Sequence, residues 1–292
     1  MTHAKVPLKS ILLMVRASLA FSVMALCVKL TSPGLPSMEI VFFRSLLSVV
    51  LLVPLMHHRK TSFLGRHRAK LLARGLFGFV ALSLHFFTIG RMPLGTAVML
   101  NYTAPLFVVL LSWIFLGEKP RLRLILLVLT CFTGVYLLLS GDAGAWNRDA
   151  VFGLLSAIFA AGAYITISAL RDRESPLTII FYFTLVSTFG SLPFLYKHFL
   201  WPSPHEAFLL LGVGAGAFLG QYWMTRALRE APASVLSPFS YLTPVFSFLY
   251  GVWLWKEPLG SVSMTGILLI LGGGCLLTIW ETGEKKLDPV SE

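Results

Sequence analysis

The chain has 292 residues, 56% hydrophobic and only 13% charged, with a net charge of +11 and a mean hydropathy of +0.79. A soluble domain carries roughly 25% charged residues, so this composition excludes a chain of two soluble domains. The basic excess is not a nucleic-acid signal, because no soluble basic domain is present to carry it; in membrane proteins surplus Lys and Arg mark the cytoplasmic loops.

The apolar residues fall in runs long enough for a hydrocarbon core of about 30 Å, which takes roughly 20 helical residues to cross. A short basic stretch (Lys5, Lys9) precedes the first run, 8–30, which is too long for a signal peptide core and reads as an uncleaved helix. The next runs are 36–56, with Phe43-Arg44 and Pro54; 71–90, with His85; and 94–116, with Asn101, Tyr102, Thr103 and Pro105. Then come 122–140, uncharged from Leu124 to Ser140; 150–170, with Tyr164; and 177–196. The last three are 206–226, 233–255 and 262–280. The first of these has Gly212, Gly216 and Gly220 at four-residue spacing, then Gln221, Tyr222 and Trp223. The second has Ser237, Ser240, Tyr241, Thr243 and Pro244, and the third Gly272-Gly273-Gly274. Connections are short and rich in Pro and Gly, and residues 281–292 read as a disordered cytoplasmic tail. The expected fold class is an all-α membrane protein of ten transmembrane helices.

Lys and Arg orient the chain. With a cytoplasmic N-terminus, that side receives seventeen of the 24 basic residues, Arg74 counted among them, and the far side five; Arg16 and Arg44 stay inside spans. This asymmetry predicts an inner-membrane protein with both termini cytoplasmic.

The most specific feature is a repeat at an offset of 139 residues. Phe42 matches Phe181, Pro54 Pro193, Pro93 Pro232, Tyr102 Tyr241, Pro105 Pro244, Glu118 Glu257 and Gly134 Gly273; Leu137-Leu138 match Leu276-Leu277. Each half, 1–140 and 141–280, then holds five helices. Five is odd, so the second repeat is inverted. Inverted repeats around a midplane site suit a carrier, because the halves can exchange conformations and expose one site alternately.

At this point the chain resembles a ten-helix drug/metabolite transporter of the EamA type. The resemblance rests on Pro105 followed by Leu116-Gly117-Glu118, on Pro244 followed by Trp255-Lys256-Glu257-Pro258, on Phe43-Arg44, and on Gly134 and Gly273. It covers the chain to about Glu281, and Lys256 stands where the family has Gly. It implies a transporter, not an enzyme, lined by the fourth and ninth helices, with aromatic amino-acid exporters as the nearest functional analogy.

Proline removes an N–H and clashes with the preceding turn, so Pro105 and Pro244 are expected hinges. Buried polar groups in a membrane need partners or water; His85, Asn101, Tyr102, Tyr164, Trp223 and Tyr241 are the expected substrate-binding residues. Arg44 could bind a substrate carboxylate or hold a helix carbonyl or a neighbouring loop, and the structural role is the expected one because no acidic partner is near it in sequence. No acidic residue lies deep in a span, which argues against carboxylate-based proton coupling. Cys27, Cys131 and Cys275 lack metal-ligand spacing and read as core filler, so no metal or cofactor is expected. The partners are a small-molecule substrate, amino acids first, and the lipid bilayer; the chain is a monomer or a weak homodimer. The alternatives are a vitamin or lipid-linked-sugar carrier of the same fold, or a membrane-embedded lipid-modifying enzyme, for which no catalytic group converges.

Overall fold

The computed structural model describes residues 8–116, 122–141, 148–170, 173–196, 199–230, 236 and 239–284. Among them are eleven helices and no strands: α1 (Leu8–Thr31), α2 (Ser37–His58), α3 (Arg68–Arg91), α4 (Leu94–Asn101), α5 (Ala104–Leu116), α6 (Leu122–Gly141), α7 (Arg148–Leu170), α8 (Pro176–Leu195), α9 (Pro204–Glu230), α10 (Leu242–Trp255) and α11 (Ser261–Glu284). Seven helical segments are long and apolar enough to cross a membrane, the α4–α5 stretch counted as one; three shorter apolar helices lie at 125–140, 242–255 and 261–276. Helix α11 runs to Glu284, and residues 285–292 of the expected tail lie outside the described residues, as do Glu118 and Ser237.

Local chemistry starts and stops these helices. Pro36 and Pro93 stand extended just before α2 and α4, and Pro176 opens α8, since a proline's missing N–H is harmless in a first turn. Ser203 and Glu206 cap α9 reciprocally: the Glu206 N–H donates to Ser203 Oγ (3.3 Å), and the Ser203 N–H to Glu206 Oε2 (2.8 Å). The expected fourth span is broken: Tyr102 and Thr103 form a turn between α4 and α5, just before Pro105. Tyr241 stands at the equivalent point, at the start of α10 and three residues before Pro244. Helix α10 ends on Lys256 in the left-handed conformation (φ 53°).

The principal pairings are α1 with α9, α3 with α7, α6 with α11, α2 with α8, α3 with α8 and α4 with α10. Small residues permit the close ones. The Gly212, Gly216, Gly220 stripe lies against Cys27, Ala20 and Phe21 of α1, and Gly134 of α6 meets the backbone of Gly266 in α11. Large apolar side chains cover the outside, among them Leu126, Phe189, Leu211, Leu249 and Leu268. A soluble protein rarely exposes so much apolar surface; a bilayer solvates it.

The connections gather at two ends. At the first, Thr178 Oγ1 donates to the Ser62 carbonyl (2.7 Å) and Tyr182 Oη to the Leu64 carbonyl (2.7 Å). There, Glu174 Oε1 accepts the N–H groups of Arg66 and His67, both at 2.6 Å. At the second, the Leu200 N–H donates to Glu39 (3.3 Å), Arg91 approaches Asp149 (3.9 Å), and the Leu94 N–H meets both Glu257 oxygens (3.2 Å). Helices α2 and α8 therefore run antiparallel.

Candidate substrate cavity

A cavity of about 570 Å³ lies between α2, α8 and α9. Helix α2 contributes Arg44, Ser48, Leu52 and Leu55; α8 contributes Ile180, Phe183 and Thr184; α9 contributes Ala217, Phe218, Gln221, Tyr222, Thr225 and Arg226. Arg59, Thr61 and Ser175 surround its mouth at the first end. The wall on α9 is aromatic and basic. Phe218 and Tyr222 stack with centroids 6.4 Å apart, and the Arg226 guanidinium lies 5.8 Å from the Tyr222 centroid.

Arg44 makes the deep wall cationic, and Arg74 stands against the same Phe183 ring without lining the cavity. Arg44 is 3% exposed and its guanidinium stands 5.0 Å from the Phe183 centroid. Arg74 of α3 is 9% exposed and stands 4.6 Å from the same ring. The charge count groups Arg74 with the connection between the second and third spans; α3 begins six residues before it, and the side chain is buried inside the bundle. Nε and Nη1 of both arginines have no hydrogen-bond partner among the described residues. Arg44 therefore does not spend those nitrogens on a carbonyl or loop, contrary to the expectation for it.

The small hydroxyls are mostly spoken for. Ser48 donates to the Arg44 carbonyl (2.9 Å), Thr88 to Leu84 (2.8 Å), Thr188 to Thr184 (2.8 Å) and Ser247 to Thr243 (2.9 Å). Such bonds to the preceding turn satisfy a hydroxyl in an apolar medium without an interhelical partner. Between elements, Ser18 donates to the Phe239 carbonyl (2.9 Å), and Thr243 to the Ser18 carbonyl (3.2 Å).

None of the six expected binding residues lines this cavity. Tyr102 and Tyr241 come together, with centroids 6.1 Å apart. Asn101 donates to Ser156 Oγ of α7 (3.1 Å). His85 is 8% exposed, with Nδ1 lacking a partner among the described residues. Trp223 packs beside Leu13, Met14, Ala227 and Leu236. Tyr164 of α7 is 53% exposed and lies within electrostatic reach of Arg74, Tyr102 and Tyr241. The sequence neighbours of Trp223, Gln221 and Tyr222, do line the cavity. The sequence signal for the rest was Arg44 itself, a cation inside a span without an acid nearby.

Apolar helices packed around a largely apolar cavity with a few polar and basic groups, open at one end, fit a multi-pass membrane protein built as a solute transporter. The model of the EamA-like transporter family matches twice, over residues 8–140 and 148–279, and the chain belongs to that family. The pseudopaline exporter CntI of Pseudomonas aeruginosa is 36% identical over 263 residues, 89% of this chain and 93% of its own length. An uncharacterized transporter of Helicobacter pylori is 32% identical over 276 residues, 90% of this chain and 92% of its own. The S-adenosylmethionine uptake transporter of Rickettsia felis is 26% identical over 238 residues, 81% of each chain. One crystal structure shares the fold, with a TM-score of 0.66 at 19% identity over 93% of this chain and 98% of its own. Family and relatives are transporters, so the enzyme alternative falls away.

Proposed function

We propose that the chain carries small organic metabolites, amino acids or their close derivatives, across the inner membrane by alternating access. The observation that carries this reading is the cavity of about 570 Å³, within the usual range for small-molecule sites. Its mouth lies at the end where the Arg59 to Arg68 connection stands. On the charge asymmetry that end is cytoplasmic, as are both termini. The relatives' cargoes support the substrate class in one respect, since S-adenosylmethionine is an amino-acid derivative.

Ten spans in two inverted repeats, 1–140 and 141–280, complete the proposal. The two family matches fall one in each half. Helices α2 and α8, equivalent at the 139-residue offset, are antiparallel neighbours. The pairing of α1 with α9 becomes that of α7 with α3 when the halves are exchanged, and both pairings occur. We assign Tyr102 and Tyr241, with His85 and Asn101, to the half of the pathway closed in this conformation, Tyr164 and Trp223, which stand nearer the first end, to the flanks of its open half, and Pro105 and Pro244 to its hinges. The helix break beside each proline supports the hinges. Of the Gly272 to Gly274 run, Gly272 alone has open space, which fits a monomer or a weak homodimer.

Purified protein in liposomes should take up a subset of radiolabelled amino acids above protein-free controls. Uptake of none would overturn the substrate class.

A further inference from the structure

Two buried cations, Arg44 in the cavity wall and Arg74 outside that lining but against the same Phe183 ring, ask for a counter-charge. Arg44 and Arg74 share the Phe183 ring, so their guanidinium carbons lie within about 10 Å of each other. A guanidinium stays protonated inside proteins, and a buried charge without a partner is costly. No acid on the described elements answers them. Glu39, five residues before Arg44, accepts the Leu200 N–H at the far end. Glu174, beside the mouth, is held by the Arg66 and His67 N–H groups. The cavity wall holds Arg44, Arg59 and Arg226 and no carboxylate, so the ammonium of a zwitterion finds no ionic partner there. Gly78 confirms the tight fit, because a methyl group on it would collide with Arg74 Nη1 and the Phe183 ring.

The geometry points to a net-anionic cargo with two carboxylates, one of which is bound by the Arg44 guanidinium against Phe183, with Arg74 adding the second positive charge. Two parallel N–H···O bonds from one guanidinium suit a carboxylate. This rests on the carrier reading and narrows its substrate class. It also gives Arg44 a place in the cycle. Arg44 and Phe183 are themselves 139 residues apart and therefore equivalent in the two repeats. A residue that touches its own equivalent lies on the axis relating them, where the two halves meet and an anchor is within reach of either side. Arg59 and Arg226 at the mouth would draw an anion inward.

Thermal unfolding of the full chain in detergent tests this, with succinate and L-glutamate as anionic probes and L-leucine and L-lysine as controls. Succinate and L-glutamate should raise Tm by several degrees and the controls should not. Arg44→Met should abolish the rise and, without ligand, melt no lower than the parent, because it removes an uncompensated charge; Arg44→Lys should restore only part of the rise. A parent stabilised by leucine or lysine alone, or by none of the four, overturns the anionic assignment. An Arg44→Met protein that melts far below the parent, rescued by Arg44→Lys, makes Arg44 structural and overturns it too. The carrier reading fails separately, only if liposomes show no uptake.

Discussion

Replacing Gly216 by alanine tests how tightly α1 and α9 are joined. A methyl group at Gly216 would sit 2.8 Å from the Ala20 carbonyl oxygen and 3.2 Å from the Met24 amide nitrogen, where ordinary contact begins at 3.4 Å. Both obstacles are backbone, so no rotamer change relieves them and the helices must part by about 0.6 Å. Overpacking of this kind costs about 1–3 kcal/mol. Gly272→Ala is the control, since nothing lies within 4 Å of its methyl group, and it gains up to about 1 kcal/mol of helix propensity. Gly220→Ala is intermediate, because it meets the Phe21 ring, a side chain that can turn. Heating in detergent with a thiol-reactive fluorophore reads the order, as the buried Cys131 becomes accessible on unfolding, above the background of the partly exposed Cys27 and Cys275. Gly216→Ala should melt first, several degrees below Gly272→Ala. Coincident melting of the two would refute the claim that backbone contact sets the α1–α9 distance.

Lys256→Gly should stabilise the fold by about 1 kcal/mol, because the left-handed backbone at this exposed position is strained for lysine and open to glycine; a drop in Tm would contradict this. Burial works against the charge of Glu174, but the His67 and Arg66 N–H groups and the His67 ring outweigh it and hold the carboxyl below its usual range. A depressed folded-state value stabilises above the unfolded carboxylate pKa of about 4.3 and is lost as pH falls through the folded value. Thermal scans from about pH 6 to about pH 3 should therefore show a loss of stability that Glu174→Gln removes. Tyr182→Phe leaves the Leu64 carbonyl without its 2.7 Å donor and should cost about 1 kcal/mol, read as a lower Tm with unchanged transport. Loss of transport in that variant would tie the 62–67 connection to the cavity mouth.

The sequence was most legible where a residue's effect is local. Apolar runs located the helices, and Pro93 marked one start; the structure places Pro36 and Pro176 at two more. The Gly212, Gly216, Gly220 spacing announced a close approach, but periodicity carries no information about the partner, which proved to be α1. The burial of Arg74 was not legible, because charge counting registers only its nearness to a span end and not the Phe183 ring that meets it from a helix distant in sequence. The expected site centred on Tyr102 and Tyr241, which the repeat singles out by identity. The cavity instead lies by Arg44 and Phe183, equivalent positions whose residue types differ, and a search for identities passes over such a pair. Lys256 read as a surface departure from the family; its left-handed backbone explains why glycine belongs there.

Counterflow tests the central claim most directly. Liposomes containing the protein are preloaded with unlabelled L-glutamate or left empty, and entry of labelled L-glutamate is followed in both. A carrier that reorients one site should accumulate label transiently in the preloaded liposomes, above the empty ones, and Arg44→Met should remove the difference. Equal entry into both, unaffected by that substitution, would contradict an alternating-access carrier of anionic metabolites.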